Sequence, residues 1–414
     1  MSRRTRWSPL VVLLSASAAL LLPAAAAQAN QQAHSQNDST AAALEWYDIA
    51  TQTVAAAAYP EQVTQGRAWA VSWLAAARAV RTDGNPAFQA AALATALRDT
   101  LATLVPSRQA ALDDALASTL GGIAPGPKKD AGSAAGHDAA AAILAERAGD
   151  RLDGASVDRP WSPPPAAPGV WQLTPPSFGP AVRAGQGEAR PFLLAANDQF
   201  RPGPPPALDS TAYSSALAEV HDVGSAGSTT RTPAQTDVAR FWAQSSYSAY
   251  VQVLRSVLAS DQRPLAWTTR FVASFHAITV DAQIAIYEAK YTYVFWRPVT
   301  AIRAGGVAAD ADWTPLIATP RHPEYPSGHT GYAGAAQAVF ETLVGPRPAE
   351  PIDVTSSTAP GSTHTFSAWP AITQENVDGR VWEGIHFRFS DETGADVGRR
   401  VARYELRNLS ALGI

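Results

Sequence analysis

Hydrophobic positions recur with helical spacing in two parts of the chain, and a proline-rich stretch separates these parts. In the first part, residues 41–150, alanine-rich periodic segments are interrupted at Pro60, at 83–86, at Pro106 and over 121–129. Alanine favours helices and lets them pack closely, so this part predicts an N-terminal helical bundle, with its domain at 30–150. The predicted helices are Ala41–Ala58, Ala68–Thr82, Ala87–Leu104, Arg108–Leu120 and Gly136–Gly149.

Helical periodicity returns in the last part of the chain, which predicts a C-terminal bundle over 209–414. Between its helices, residues 345–375 are rich in Gly, Pro, Ser and Thr and predict a short strand or two, such as Thr363–Phe366. The pattern as a whole predicts a mainly α fold of two packed bundles with few short strands. The predicted C-terminal helices are Ala212–Val223, Thr232–Trp242, Tyr247–Ser260, Pro264–Trp296, Thr330–Val344 and Asp391–Leu406.

The stretch between the bundles, residues 151–208, combines proline runs with aromatic residues and has little periodicity. It is typical either of a free linker or of an ordered wrap over the bundles. Free linkers contain few aromatic residues, so the aromatic content favours the wrap. The aromatic residues are Trp161, Trp171, Phe178, Phe192 and Phe200.

The N-terminus predicts a cleaved signal peptide over residues 1–29 and therefore a secreted, extracellular protein. Three arginines within the first six residues precede an apolar run, Leu10–Leu22, and Ala27-Gln28-Ala29 fits a small-x-small cleavage site. The run is too short to span a bilayer, so we expect no stable membrane anchor. Ser2-Arg3-Arg4 leaves twin-arginine export open beside the general route. The chain has no cysteine, which excludes disulfides and a lipoprotein anchor.

The charge balance argues against polyanionic partners. The formal net charge is −4, and loss of residues 1–29 removes three arginines and no acid, which makes it −7. A mildly acidic chain without a basic tract predicts neither nucleic-acid binding nor attraction to an anionic membrane. Its cations are conspicuous because they gather in three short motifs.

The first motif contains two cations on an otherwise apolar and aromatic segment, Lys290 and Arg297, followed by Pro298. At about 100° per residue, seven steps make nearly two turns, so both cations are predicted on one face of the helix Pro264–Trp296. Such cations are rarely buried without a partner. Three interpretations stay open. The side chains reach water over the core, they pair with Asp281 or Glu288, or they bind an anion from outside.

The second motif is Pro326-Ser327-Gly328-His329, which directly precedes a predicted helix. Free backbone N–H groups and the positive end of the helix dipole collect at such a position, and an oxyanion is stabilised there. Ser327 offers a hydroxyl, Gly328 an unobstructed N–H, and His329 a group that titrates near neutral pH. The alternative is an ordinary capped helix with a surface histidine.

The third motif supplies another cation and another histidine, Arg380 and His386. Six residues rotate a helix by about 600°, which leaves the two side chains about 120° apart. If both contact one ligand, the chain is expected to bend between them, at Gly384. The alternative is a helix end with scattered charge.

Taken together, Lys-x6-Arg-Pro, Pro-Ser-Gly-His and Arg-x5-His resemble the signature of the vanadium-dependent haloperoxidases. These enzymes are relatives of the type 2 phosphatidic acid phosphatases. The surrounding segments Phe295–Pro298, His322–Pro326 and Gly384–Arg388 are similar to the secreted bacterial branch of that superfamily. The resemblance covers most of the chain after the signal peptide, although the first hundred residues match only in helical pattern. It implies two helical bundles of the vanadium haloperoxidase and acid phosphatase type.

The resemblance implies a cage for one tetrahedral oxyanion, vanadate or phosphate. His386 becomes the axial ligand to vanadium, or the nucleophile toward phosphorus, and His329 becomes the acid–base group near the apical oxygen. Lys290 is also expected to act in catalysis by polarising peroxide. The groups expected to bind the equatorial oxygens are Lys290, Arg297, Arg380, the Ser327 hydroxyl and the Gly328 N–H.

The chain departs from the family pattern at two places. Gly379 stands where the family usually has Ser, and Ser390 stands where it often has Asp, with Asp391 next to it. His322 falls where the family varies between an aromatic residue and His, so the resemblance implies a role near the halide or behind the ligands. The alternative for His322 is a loop histidine. An axial histidine needs a partner that orients its ring, and the sequence does not identify one.

The implied function is a vanadate-dependent haloperoxidase that uses hydrogen peroxide, a halide and a small organic acceptor. One alternative is an acid phosphatase that works through a phosphohistidine at His386. The other is a secreted protein that binds an oxyanion without turnover. The halide, the acceptor and the oligomeric state are not predicted.

Overall fold

The computed structural model describes residues 41–57, 59, 62–260, 263–305 and 309–414. The predicted signal peptide and Ala58 lie outside these residues. No helix in the described ranges is long and apolar enough to cross a membrane. The helices are α1 (41–56), α2 (Gln62–Val80), α3 (Pro86–Leu104), α4 (Gln109–Gly121), α5 (Pro127–Glu146), α6 (Gly154–Val157), α7 (Thr211–Gly224), α8 (Pro233–Trp242), α9 (Ser246–Ser260), α10 (Leu265–Tyr293), α11 (Pro298–Arg303), α12 (Gly328–Leu343), α13 (Trp369–Trp382) and α14 (Arg388–Leu406). Short 3-10 segments occupy Pro106–Arg108, Gln186–Glu188 and Leu409–Leu412, and the strands are β1 (Ile352–Thr355) and β2 (Thr363–Phe366).

In the N-terminal bundle, α2, α3 and α5 pack on one another. A Cβ added at Gly136 of α5 would lie 2.8 Å from the Ala92 carbonyl oxygen of α3, so glycine permits this close approach. Helix α5 begins at Pro127, nine residues before the predicted start, because its glycines serve packing and do not interrupt it. Helix α2 begins six residues early, since Gln62 is buried against its neighbours.

The C-terminal bundle is built around α10, which packs against α2, α12 and α14. Helices α12 and α14 pack closely, with glycines at the contact. A Cβ added at Gly334 or Gly398 would overlap a backbone carbonyl of the other helix. Buried side chains of both bundles, from Trp69 to Phe275 and Val401, form one continuous core. The structure is therefore mainly helical with two short strands among the described residues, as the sequence predicts.

Helix α10 ends at Tyr293, not at the predicted Trp296. Val294 adopts a left-handed conformation, with φ of +50°, and Phe295 forms a β-bridge with Val170. The prediction that Lys290 and Arg297 share a helical face is therefore wrong. Arg297 has an extended backbone and directly precedes α11. The helical conformation is disfavoured there because the next residue is Pro298.

The proline-rich stretch packs on the C-terminal bundle in turns and short helical segments. Trp171 is fully buried, and its backbone N–H donates to the Val294 carbonyl at 2.7 Å. The Val182 N–H donates to the Arg321 carbonyl at 2.9 Å. These contacts bring residues 180–190 to the edge of the motif region. The domain boundaries at 150 and 208 stay predictions.

Residues 345–375 contain more order than predicted. Strands β1 and β2 pair antiparallel, with Ile352 opposite Phe366, so the predicted strand Thr363–Phe366 is confirmed. Helix α13 was not predicted to begin at Trp369. A proline in its first turn favours that start, and Trp369 stacks on Phe340 with ring centroids 4.6 Å apart.

Candidate active site

The second and third motifs line a cavity of about 260 Å³ at the N-terminus of α12, and Arg297 of the first motif contacts its wall at His322 and His386. The cavity is lined from the N-terminal bundle, the proline-rich stretch and the C-terminal bundle. Lys290, Arg297 and Ser327 are not among the lining residues and are buried in the same region. The lining residues are Gln62, Val182, Arg183, Gln283, Tyr287, Pro320, Arg321, His322, Gly328, His329, Arg380 and His386.

Lys290 is fully buried near the end of α10. Its Nζ donates to the carbonyls of Pro323 at 3.0 Å and Glu324 at 2.6 Å. Burial, and then the charge of Arg297, lower the pKa of Lys290 well below its usual value. An anion beside Lys290 would stabilise its charged form.

The acids suggested as partners of the motif cations serve elsewhere. Asp281 accepts hydrogen bonds from the backbone N–H groups of Phe192, Leu193 and Leu194. Glu288 pairs with Arg201. The pairing hypothesis is therefore wrong for Asp281 and Glu288, because each faces the proline-rich stretch instead of the cage.

Arg297 is also fully buried and joins two motifs. Its Nε donates to the His322 carbonyl at 3.0 Å, and its Nη1 donates to the Ile385 carbonyl at 2.9 Å. The same Nη1 lies 3.2 Å from His386 Nε2. Burial lowers the pKa of Arg297 to about 10, so the guanidinium stays charged at neutral pH.

Arg380 lies in the last turn of α13 and lines the cavity. Its Nη1 lies 2.7 Å from Glu383 Oε2 and donates to the Trp242 carbonyl at 3.1 Å. Its Nε is buried without a hydrogen-bond partner among the described residues. The predicted bend at Gly384 is confirmed, with φ of +81°, and it allows Arg380 and His386 to line the same cavity.

His386 is oriented by Glu324, which the sequence did not identify as its partner. His386 Nδ1 lies 2.7 Å from Glu324 Oε1, and Glu324 Oε1 also accepts from the Phe387 N–H at 3.1 Å. Arginine can only donate, so Nε2 is the acceptor toward Arg297, and Nδ1 carries the proton that Glu324 accepts. Burial, and then Arg297, lower the pKa of His386 well below its usual value. The ring is therefore neutral, with a bare Nε2.

Glu324 itself is fully buried between these groups. Burial raises its pKa to about 7, and the charges of Arg297 and Lys290 oppose that rise. The signal in the sequence was a single acid between Pro323 and Pro326, directly before the Ser-Gly-His motif.

Ser327 stands at the N-cap position of α12, but its side chain makes no capping hydrogen bond. Its backbone N–H donates to the Ser390 carbonyl at 3.1 Å. Its hydroxyl is buried and is not within hydrogen-bond distance of any described residue, and the Asp391 carboxyl lies nearby. The hydroxyl and the first N–H groups of α12 are thus available to an oxyanion. The interpretation as an ordinary capped helix is not supported.

The two departures from the family pattern have local structural contexts. A Cβ added at Gly379 would lie 3.1 Å from Trp242 Cδ1, so Trp242 occupies the space that a larger residue would need. Ser390 Oγ donates to the Glu324 carbonyl at 3.4 Å. Asp391 is fully buried, and burial raises its pKa well above the usual value.

His329 is half-buried and lines the cavity. Its Nε2 lies 3.1 Å from the Gln244 carbonyl, so Nε2 carries the proton and Nδ1 is unprotonated in the neutral ring. Burial, and then the charge of Arg380, lower its pKa well below the usual value. The ring can therefore accept a proton from a group in the cavity.

His322 is buried in the cavity wall and is not an exposed loop histidine. Its Nδ1 lies 3.1 Å from Arg297 Nη2, and its Nε2 lies 3.2 Å from the Tyr287 hydroxyl. Burial, and then Arg297, lower the pKa of His322 well below its usual value. His322 therefore joins Tyr287 to a buried cation.

Comparison with known proteins agrees with this geometry. A family model described as "VCPO second helical-bundle domain" matches residues 270–412, which contain all three motifs. The vanadium chloroperoxidase of Curvularia inaequalis is 26% identical to this chain. The match to residues 270–412 and this relative support a vanadium haloperoxidase family for the chain. That alignment covers 47% of this chain and 43% of the Curvularia protein, so it spans less than half of that relative.

Solved structures of two bacterial vanadium haloperoxidases share the fold of this chain. The structure described as the first bacterial vanadium-dependent iodoperoxidase has a TM-score of 0.75 at 22% identity, and the match covers 88% of this chain and 96% of that one. A holo-type bacterial vanadium-dependent chloroperoxidase has a TM-score of 0.65 at 17% identity, covering 86% and 93%. These similarities establish the helical-bundle fold over most of the chain.

The donor set of the cavity fits a tetrahedral oxyanion of the vanadate type. Three buried cations supply charge, and the Ser327 hydroxyl and Arg380 Nε are buried donors without partners among the described residues. The bare Nε2 of His386 supplies a lone pair beside Arg297. Charge-assisted hydrogen bonds of this kind are strong in a buried site.

Proposed function

We propose that this protein is a vanadate-dependent haloperoxidase, which oxidises a halide with hydrogen peroxide to a hypohalous-acid-like species that halogenates a small organic acceptor. The observation that carries the proposal is the state of His386. Glu324 fixes the proton on Nδ1, and Nε2 remains unprotonated, with its lone pair next to Arg297. A neutral imidazole nitrogen held in this way would suit a ligand to vanadium.

In this proposal Lys290, Arg297 and Arg380 would hold vanadate, together with the Ser327 hydroxyl and the Gly328 N–H. The bound vanadate supplies Lewis-acid activation of peroxide. The cations neutralise the oxyanion and polarise the peroxide oxygens, which they do strongly because the site is buried and its dipoles are fixed. His329 accepts or returns a proton at the open side of the cage through its unprotonated Nδ1.

The same geometry favours one second candidate, an acid phosphatase. A bare Nε2 held by a carboxylate at Nδ1 is also suited to attack phosphorus, and phosphate has the shape and charge pattern of vanadate. His329 would then supply the leaving group with a proton that its Nδ1 first accepts from a group in the cavity. A third outcome is an oxyanion-binding protein without turnover.

The deciding experiment measures bromide-dependent halogenation of a dye with hydrogen peroxide, in phosphate-free buffer, before and after addition of orthovanadate. The matched variants are His386→Ala and, as control, the exposed His137→Ala in the N-terminal bundle. Activity that requires vanadate, survives in His137→Ala and is lost in His386→Ala supports the proposal.

No halogenation at any vanadate level, in folded protein, overturns the proposal. Turnover of a phosphate monoester by the same vanadate-free protein then identifies a phosphatase. Vanadate binding without either turnover identifies a binding protein, and a pure binder is expected to keep most of its affinity in His386→Ala through the three cations.

Export of the chain is part of the proposal, because residues 1–29 have the pattern of a cleaved signal peptide. The N-terminal sequence of protein recovered from the culture medium tests it. A mature N-terminus at or near residue 30 is expected. Retention of the intact N-terminus inside the cell would contradict export.

A further inference from the structure

The cavity has a second group of cations at its outer wall, apart from the three in the cage. Arg183, from the proline-rich stretch, lines the cavity and donates from Nη1 to the Tyr287 hydroxyl at 2.7 Å. Its backbone is left-handed, with φ of +64°, and its N–H donates to Asp158 Oδ1 at 2.8 Å. An arginine rarely adopts this conformation without a specific constraint, and such residues concentrate at functional sites.

Arg321 stands beside Arg183 at the same wall. Its carbonyl accepts from the Val182 N–H, so the two arginines come from segments joined by a backbone hydrogen bond. Its side chain is exposed and lines the cavity. The guanidinium makes no hydrogen bond or ion pair with any residue that the structure describes, and it lies next to Gly179. This guanidinium is thus a cation presented to solvent at the entrance.

The cavity as a whole is larger than one oxyanion needs. The cavity of about 260 Å³ holds on the order of ten water molecules at roughly 30 Å³ each. Its lining also includes Val182 and Pro320, the sequence neighbours of the two arginines, and Tyr287, which accepts the hydrogen bond from Arg183. Apolar and aromatic surface next to cations favours a ligand with a flat apolar body and an anionic group.

We propose that Arg321 and Arg183 form an anion-recognition rim that binds the carboxylate or phenolate of a small aromatic acid, the organic acceptor of the reaction. The acceptor's ring lies against Val182, Pro320 and Tyr287, between the rim and the cage. Asp158 faces Arg183 from the backbone side and offsets part of its charge, so Arg321 carries most of the attraction. The role as acceptor rests on the proposed haloperoxidase function, whereas binding at the rim does not.

The reaction at the bound acceptor balances without another reagent. The halide loses two electrons to hydrogen peroxide, whose O–O bond breaks and yields two waters. A carbon–halogen bond replaces one aromatic C–H bond, and that proton is released. The net reaction consumes one arene, one halide, one peroxide and one proton, and it forms one haloarene and two waters.

The experiment compares binding of 4-hydroxybenzoate and its neutral analogue 4-hydroxybenzamide to the full chain by calorimetry. Inorganic phosphate is present at a concentration that fills the cage, which keeps the carboxylate out of it. The variants are Arg321→Gln, Arg183→Gln and Gly179→Ala. A Cβ at residue 179 would lie 2.6 Å from Arg321 Nη1, so Gly179→Ala moves the guanidinium and keeps the charge. The control is the exposed Arg407→Gln, which removes one charge away from the cavity.

We expect the benzoate to bind several-fold to about tenfold more tightly than the benzamide, with a preference that falls as salt rises. Arg321→Gln and Gly179→Ala reduce this preference, Arg183→Gln reduces it less, and Arg407→Gln leaves it unchanged. Equal binding of the two ligands, or a preference unaffected by Arg321→Gln, overturns the inference.

Halogenation assays with the same two acceptors separate this inference from the proposed function. A benzoate preference in binding without vanadate-dependent bromination of either ligand supports the rim and contradicts the haloperoxidase. Bromination of both ligands with equal KM in wild type and Arg321→Gln supports the haloperoxidase and overturns the rim.

Discussion

His386 contacts a carboxylate through one ring nitrogen and a guanidinium through the other. Each contact constrains the ring differently. Glu324 holds the proton on Nδ1, and Arg297 keeps Nε2 in the acceptor state. Coordination of vanadium and attack on phosphorus both require a neutral imidazole in a fixed orientation. The contacts with Glu324 and Arg297 provide that state of His386.

Glu324→Gln tests the orientation of His386. The amide keeps the size of the side chain and can still accept from Nδ1, but it removes the negative charge that faces the ring and the cations. We expect affinity for vanadate to fall about 10- to 100-fold while the fold is preserved. Titration with orthovanadate measures the affinity, and circular dichroism checks the fold. The control is the exposed Glu350→Gln, and equal affinities in both variants would contradict the role of Glu324.

At this scale the sequence predicted residue types better than contacts. The oxyanion-binding role of Ser327, Gly328 and His329 was predictable because free N–H groups collect at a helix N-terminus. Their proximity follows from their being adjacent in the sequence. The partners of Lys290 were not predictable, because they are backbone carbonyls of Pro323 and Glu324, which are far along the chain. Every residue has a backbone carbonyl, so the sequence does not show which carbonyls accept from Lys290.

At the scale of elements, α12 and α14 fix the cage through close helix contact. Ser327 directly precedes α12, and its backbone N–H donates to the Ser390 carbonyl of α14. The two helices contact each other at glycines. The sequence indicated both helices, but not that their glycines face one another. A small residue in a helix is equally consistent with exposure and with tight packing, and only the tertiary contact distinguishes these cases.

Gly398→Ala tests this contact. The added Cβ would overlap the Gly331 carbonyl of α12, so the helices must separate. Overpacking of this kind typically costs about 1–3 kcal/mol of unfolding free energy, and it displaces the first turn of α12. Urea unfolding measures the stability, and vanadate titration measures the site. Gly122→Ala is the control, because its Cβ has only ordinary contacts, the nearest at 3.5 Å. Equal stability of the two variants would argue against the helix contact as the constraint.

His364 joins β2 to α8 and to α13, and α13 is the helix that contains Arg380. His364 Nδ1 lies 2.6 Å from Glu375 Oε1, and its Nε2 lies 2.9 Å from Asp237 Oδ2. The ring also stacks on Phe241 at 3.8 Å. Burial by itself lowers the pKa of His364, but the hydrogen bonds to Glu375 and Asp237 outweigh burial and raise it above the usual value.

The raised pKa of His364 gives a signed prediction. The protonated ring stabilises the fold fully below its unfolded pKa of about 6.5, and this stabilisation is lost as the pH rises through the higher folded pKa. Stability should therefore fall more in wild type than in His364→Gln between about pH 6 and about pH 8.5. Urea unfolding at both pH values measures this. His221→Gln should follow wild type, and parallel loss in wild type and His364→Gln would refute the prediction.

At the scale of the whole molecule, the cage depends on a residue from the N-terminal bundle. Gln62 of α2 lines the cavity and donates from Nε2 to Gln283 Oε1 at 3.0 Å. Gln283 in turn donates to the Gly328 carbonyl at 2.8 Å, and Ser245 Oγ donates to Gln62 Oε1 at 3.0 Å. The sequence placed all motif residues in the C-terminal half, since a glutamine in an alanine-rich helix has no distinguishing pattern.

Gln62→Leu tests whether the hydrogen bonds from Gln62 through Gln283 to the Gly328 carbonyl position the first turn of α12. Leucine fills a similar volume but leaves the Gln283 Oε1 and Ser245 hydroxyl without this partner, a cost of about 1–3 kcal/mol for each buried group left unsatisfied. Because Gln283 holds the Gly328 carbonyl, we expect weaker vanadate binding in addition to lower stability. Titration and urea unfolding are compared with the exposed Gln109→Leu, which should match wild type in both. A Gln62→Leu protein that loses stability but binds vanadate like wild type would show that the bundles share a core without sharing the site.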